Sequence, residues 1–264
     1  RPMLMLFVSE LSTQIFLYAD IFMLGIMTNN YYVGYYAIPV KVYSFVKRII
    51  NQMVIVFLPR LAYYNSRKSN EFIKLLSQII NISIFIVLPV MTLLFLLSDN
   101  IIYILSGKGF ESSFLTLKIL SLSLLFAILA NIFCNGVLII KEEEKYVLKA
   151  NAIVAIINVL LNMLMINRWQ HNGAAFTTLI SEMLIMIFLY LKAKKNIQNL
   201  YFIKNFIYEI IGCVGIVLLY LIISKLILNN ILEIIIVSIF GLLIYLGIQL
   251  LLRNENIKSI KELK

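Results

Sequence analysis

The sequence predicts an all-α polytopic membrane protein with about eight transmembrane helices. Three observations carry that prediction. Hydrophobic residues make up 62% of the 264-residue chain and charged residues only 14%, which is far from the balance of a soluble domain. Apolar runs of about 20 residues, the length that crosses a bilayer core as a helix, recur along the chain. No alternating strand-length pattern appears, so a β-barrel is not indicated.

Taken in order, the spans are expected at 3–27, 34–59, 75–97, 114–140, 146–166, 173–192, 205–228 and 231–252. A polar break at Thr28-Asn29-Asn30 separates the first two, and Pro59 closes the second. Pro39 and Pro89 fall inside helices, where membrane proteins tolerate them. Ser106-Gly107-Lys108-Gly109 lacks the spacing of a phosphate-binding loop and reads as a turn in an outside loop over 98–113. Gly212, Gly215, Gly241 and Gly247 offer packing notches in two last spans that read as almost entirely Ile, Leu, Val and Phe. Six helices with polar faces and two apolar ones suggest two parts. Residues 1–195 form a six-helix transporter lobe. Residues 196–264 add two transmembrane helices and a cytoplasmic tail.

The formal net charge of +10 is a matter of topology rather than a sign of nucleic-acid binding. With the N-terminus placed in the cytoplasm, outside loops hold only Lys108, Lys118, Arg168 and Lys225. Lys41, Lys47 and Arg48 lie within a span, which leaves sixteen of the 23 Lys and Arg on the inside. Both ends of the chain are therefore expected in the cytoplasm.

The intramembrane charges point to a site. Each charge at mid-bilayer costs roughly 2.5–3.5 kcal/mol, so ionised groups there face a bundle interior or a wet cavity. At about 100° per residue, Lys41, Ser44, Arg48, Asn51 and Gln52 share one face of the second helix. Lys47 lies off that stripe, and snorkelling to an interface is a stronger reading for it than for Lys41 or Arg48. Glu10, Thr13, Gln14 and Asp20 share an arc of the first helix. Asn151, Ala155, Asn158 and Asn162 line up on the fifth, where plain interhelical hydrogen bonding is the competing reading. Thr178, Ser181 and Glu182 lie on one side of the sixth, with Glu182 either a site residue or near the outer interface. Asn131 and Asn135 are one turn apart on the fourth. The candidate cavity residues are thus Asp20, Lys41, Ser44, Arg48, Gln52, Asn151, Asn158 and Glu182. Enzyme chemistry has little to stand on: His171 is the single histidine, Cys134 and Cys213 sit in apolar runs, and no metal-ligand cluster is seen.

These residues also carry a resemblance. Asp20-Ile-Phe-Met-Leu-Gly25, then Val33-Gly34-Tyr35-Tyr36 and a helix with Lys41, resembles the start of the second half of bacterial polysaccharide exporters. These are the O-antigen and capsule-unit flippases of the multidrug/oligosaccharidyl-lipid/polysaccharide superfamily. Phe57-Leu58-Pro59-Arg60-Leu61, Pro89, Gly107-Lys108-Gly109-Phe110, Lys145 before Asn158 and Asn162, and Gly173-Ala174-Ala175 with Thr178 and Glu182 follow in the same order. The likeness covers about residues 1–195 and implies that this chain corresponds to helices seven to fourteen of such a protein. It further implies a non-enzymatic flippase of the bacterial cytoplasmic membrane, taking part in O-antigen or capsule synthesis. The implied substrate is an undecaprenyl-pyrophosphate-linked oligosaccharide, moved by alternating access among membrane lipid and alongside a polysaccharide polymerase. Lys41 and Arg48 would neutralise the pyrophosphate, and the Asn and Ser/Thr stripes would offer hydrogen bonds to the sugar. Asp20 would either hold Lys41 or bind a coupling Na+ or H+; no other cofactor is implied. The main rival is a cation-coupled multidrug antiporter of the same superfamily, whose site would call for net acidic residues. A lipid II flippase is a second relative, also with a cationic cavity, which the sequence separates poorly.

Overall fold

The computed structural model describes residues 19–67, 71–197, 206–226, 229–254 and 256. Among these, every regular element is helical: α1 (19–27), then α2 (Asn30–Ile55), α3 (Leu58–Ser66), α4 (Glu71–Leu96), α5 (Ser98–Ser106), α6 (Ser113–Phe133), α7 (Glu144–Asn196), α8 (Phe206–Leu226) and α9 (Asn230–Leu251). Six helical stretches are long and apolar enough to cross a membrane, so this is a multi-pass membrane protein. Glu10, Thr13, Gln14 and most of the first expected span lie outside the described residues.

The chain punctuates these helices where its chemistry allows. Asn29 caps α2, its Oδ1 accepting from the Tyr31 and Tyr32 N–H groups at 3.1 and 3.3 Å, which satisfies donors that a helix start leaves free. The second span ends earlier than expected, at Ile55. Pro59 does not close it but occupies the first turn of α3, where its missing N–H costs nothing. Half of the expected outside loop is likewise helix, namely α5. The turn beyond it uses Gly107 and Gly109 at φ 74° and 99°, conformations that favour glycine. The exposed Glu111 carboxyl is held below its usual range by backbone N–H groups, its own and that of Gly109.

α7 needs a break. Its 53 residues would measure about 80 Å as one straight helix, against about 30 Å of bilayer core. The break is at Gln170, with φ 47° and ψ −126°. It divides α7 into a first arm (144–169) and a second (171–196), which correspond to the fifth and sixth expected spans. A side chain at Gly173 would collide with the Met165 carbonyl, so the arms close on one another immediately past the turn.

α6 is the hub. It packs on α2, α4 and both α7 and the segment that follows α6 itself, and Leu117, Leu120, Leu124 and Ile132 are fully buried along it. It ends in a π-helical turn, Cys134–Ile139. α8 and α9 pack on each other and on α4 and α5 around a separate cluster that includes Phe85, Leu93, Ile216, Val237 and Tyr245. Lipid is as apolar as leucine, so helices in a bilayer join through close approach and polar links rather than through burial from water. Both devices appear in this pair. A Cβ on Gly212 would come within 2.5 Å of Gln249 and 2.6 Å of Tyr245, and one on Gly215 within 2.6 Å of Ile248, whereas Gly247 has nothing within 4 Å. Two of the expected notches thus serve close packing and Gly247 does not.

A few polar residues in these almost entirely apolar spans, Glu209, Glu233 and Gln249, are buried and form links. Glu209 accepts from Asn256 Nδ2 at 2.7 Å, Glu233 accepts from Asn100 Nδ2 of α5 at 2.7 Å, and Gln249 Nε2 donates to the Tyr208 carbonyl at 2.7 Å.

Candidate functional site

α2 has two faces with different chemistry. On the inner face, Tyr36, Tyr43 and Lys47 succeed one another at helical spacing. Tyr36 is fully buried and its hydroxyl donates to Asp20 Oδ2 at 2.9 Å. Thr178 Oγ1 donates to the same oxygen at 2.7 Å, and Asn162 Nδ2 donates to Asp20 Oδ1 at 2.6 Å. Asp20 is 2% exposed. α1, α2 and both arms of α7 therefore converge on one carboxylate. The network continues outward: Asn162 Nδ2 also reaches Asn158 Oδ1 at 3.2 Å, and Asn158 Nδ2 donates to Ser181 Oγ at 3.0 Å. Asn162 Oδ1 is buried without a hydrogen-bond partner among the described residues. So is any cation beside Asp20 lacking among them: the described ion pairs are Lys47–Glu182, Lys118–Asp99 and Lys192–Glu143.

Further along the same seam, Lys47 pairs with Glu182 at 2.5 Å, and Tyr43 donates to that carboxylate at 3.2 Å. The ammonium also lies 5.6 Å from the Tyr43 ring centroid. Both charged side chains are largely covered, at 19% and 16% exposure. This pair joins α2 to the second arm of α7, with no charge left over.

The outer face of α2 is uncommitted. Lys41, Arg48 and Gln52 are exposed and Ser44 is half-buried. Among the described residues, none of the four has an ion pair or side-chain hydrogen bond of the kind that ties the inner face. Asn151 is half-buried on the first arm of α7, two turns from Asn158.

The expected site residues thus fall into groups. Asp20 and Asn158 share a buried network with Asn162, Thr178, Ser181 and Tyr36. Glu182 is committed to Lys47. Lys41, Ser44, Arg48 and Gln52 lie on the opposite face of α2, and Asn151 joins neither group. Asp20 does not hold Lys41. Lys47, read from the sequence as the charge most suited to snorkelling, is instead a bundle residue. The signal for it was present, because Tyr36, Tyr43 and Lys47 share a stripe as tight as that of Lys41 and Arg48. His171 is 4% exposed. Its Nε2 lies 2.9 Å from the Ser112 carbonyl and its ring stacks on Tyr32 at 5.5 Å. It packs the hairpin turn of α7 against the start of α2 and against the loop before α6.

Two comparisons bear on this arrangement. A stretch of 141 residues is 32% identical to the capsular polysaccharide biosynthesis protein CapF of Staphylococcus aureus. That stretch is 53% of this chain and 35% of CapF, so the chain matches about a third of that relative's length. The second match is more extensive, running over residues 1–253 and so taking in the Asp20 network, both faces of α2 and the α8–α9 pair. It supports the expected superfamily without singling out the O-antigen exporters: the chain belongs to the family described as Lipid II flippase MurJ.

Proposed function

We propose that the protein acts in moving an undecaprenyl-pyrophosphate-linked saccharide from the cytoplasmic to the outer leaflet of the bacterial cytoplasmic membrane, as a step in surface polysaccharide synthesis. The observation that carries this reading is the outer face of α2. Lys41 and Arg48 are exposed on a membrane-crossing helix with no partner among the described residues. Facing lipid they would be costly, so this face lines a wet cavity closed by a second lobe. Two cations with Ser44 and Gln52 between and beside them suit a pyrophosphate, whose charge a low-dielectric cavity must neutralise. The polyprenyl tail stays in the bilayer, and the lobes rock about the bound headgroup. Both termini are cytoplasmic in this reading.

In this scheme the Asp20 network is the binding place of the coupling ion. A carboxylate held by three neutral donors keeps its charge uncompensated, which is unfavourable unless a proton or a cation joins it. Thr178 Oγ1, in contact with the carboxylate, and Asn162 Oδ1, buried without a partner among the described residues, are neutral oxygens that could join it as ligands of a sodium ion. Glu182 is no longer a candidate for substrate contact in this scheme, because Lys47 already neutralises it.

Lipid II is the second reading, favoured by the family match over residues 1–253; the likeness to the capsule protein CapF favours the oligosaccharide. The test places the intact protein in proteoliposomes and follows the sidedness of labelled undecaprenyl-pyrophosphate oligosaccharide and of lipid II separately. Movement of either that is lost in Lys41→Ala and Arg48→Ala supports the reading and chooses between the substrates. Movement of neither, with gradient-driven efflux of a cationic dye, would replace it with the antiporter. In the same vesicles Asp20→Asn is expected to abolish the dependence on a sodium or proton gradient.

A further inference from the structure

One polar group of the outer face of α2 is not free. Asn51 is half-buried at the edge of the Lys41–Arg48 stripe, and its Oδ1 accepts from Asn131 Nδ2 of α6 at 2.9 Å. Asn131 Oδ1 in turn accepts from Asn135 Nδ2 at 2.5 Å. The three amides form a ladder in which each link uses one donor and one acceptor. An amide carries two donor hydrogens and one oxygen acceptor. The ladder therefore ends in Asn51 Nδ2 on one side and Asn135 Oδ1 on the other, and neither group has a partner among the described residues. All three side chains are half-buried, on helices that cross the membrane.

That combination is informative. A linked pair of amides is a common way to join two helices in a bilayer. A ladder with both ends open and partly accessible is not, because unpaired donors and acceptors facing hydrocarbon are costly. The open ends need water or a ligand. The π-helical turn Cys134–Ile139 starts between Asn131 and Asn135. Such turns are rare inside helices and concentrate at functional sites, so backbone and side chains single out the same place. The ladder is also close to the cations: Asn51 is three residues beyond Arg48, about 4.5 Å along the helix axis, the scale of one sugar ring.

We propose that the Asn51–Asn131–Asn135 ladder is a saccharide subsite that reads the sugar joined directly to the pyrophosphate. This rests on the reading of Lys41 and Arg48 as pyrophosphate ligands. A sugar offers adjacent hydroxyl and acetamido groups that both donate and accept, and the two ends of the ladder supply one partner of each kind. The ladder contributes no charge, so it acts on the choice of headgroup and not on retention of the carrier.

Binding to the intact protein in nanodiscs tests the assignment with two probes, undecaprenyl pyrophosphate and undecaprenyl pyrophosphate bearing one N-acetylglucosamine. Asn135→Leu removes the open acceptor and leaves the Asn131–Asn51 link between helices in place. It is expected to weaken binding of the sugar-bearing lipid by about tenfold and to leave the bare carrier unaffected. Asn131→Leu breaks the ladder and is expected to do the same at least as strongly. Equal weakening of both probes, or no weakening of either, would make the ladder a purely structural link and overturn the proposal. Lys41→Ala and Arg48→Ala serve as the control for the underlying reading: both should weaken both probes. If they weaken neither, the pyrophosphate assignment fails and the subsite falls with it, a result distinct from failure of the ladder alone.

Discussion

Lys47 and Lys41 stand six residues apart on one helix and have opposite fates. Lys47 lies on the inner face of α2, clasped by Glu182 and the Tyr43 ring. Lys41 lies on the outer face with Arg48, exposed and unpaired among the described residues. The inner pair is fully neutralised within the bundle and adds to the cohesion of α2 with α7. The outer pair adds nothing to that cohesion, and no described residue takes up its charge. In a membrane, where every stray charge is expensive, the uncommitted cation is the better guide to function and the committed one the better guide to architecture.

The comparison can be broken by mutation, beginning with the largest expected effect. Lys47→Ala leaves Glu182 ionised with no counter-charge, held only by the Tyr43 hydroxyl, which should cost about 3 kcal/mol of stability, read as a lowered melting temperature of the purified protein in detergent. If Lys47→Ala melts like the parent, the pair is not structural and the contrast collapses. Replacing both partners together, as Lys47→Met with Glu182→Leu, should recover most of the loss, since a buried pair is often no better than an apolar one of similar volume. Tyr43→Phe removes only the hydroxyl that supports Glu182 and should cost about 1 kcal/mol in the same assay. Lys41→Ala and Arg48→Ala should each move stability by no more than about 0.5 kcal/mol. In transport the order reverses, with these last two the most damaging. A large loss of stability from either would mean that the outer face is packed and not lining a cavity.

Most of the architecture was legible because it follows from one-dimensional signals. Helix length and apolarity located the long passes from α4 to α9 to within a few residues. Boundaries failed where a local rule had two outcomes. Pro59 reads equally well as the end of one helix or the first turn of the next, and the structure takes the second. The site was legible as stripes but not as partners. Periodicity showed that Lys41 and Arg48 share a face, and that Asn158 and Asn162 do. It could not show that Asp20 is met by Tyr36, Asn162 and Thr178, because contacts over 16 to 158 residues depend on how helices are arranged around α6. Glu209 and Glu233 were overlooked for a similar reason. Each sits at the start of an otherwise apolar helix, where a carboxylate looks like an interfacial charge until its partners, Asn256 and Asn100, are seen.

The turn at Gln170 sets a register. Asn162 precedes it by eight residues and Thr178 follows it by eight, and both donate to Asp20. The hairpin thus acts as a ruler folded at its midpoint, with matching marks on its two arms. With Gly173 closed against the Met165 carbonyl, there is no slack to absorb a change of length. One residue added to either arm between the turn and its mark would rotate that donor by about 100° away from the carboxylate. Eight residues at 1.5 Å each also set a distance: the donors to Asp20 lie about 12 Å along each arm from the turn, a large part of half a bilayer core of about 30 Å. In the proposed scheme, an ion that neutralises a carboxylate so deep in the bundle would have to be carried in or out by a change in the bundle itself.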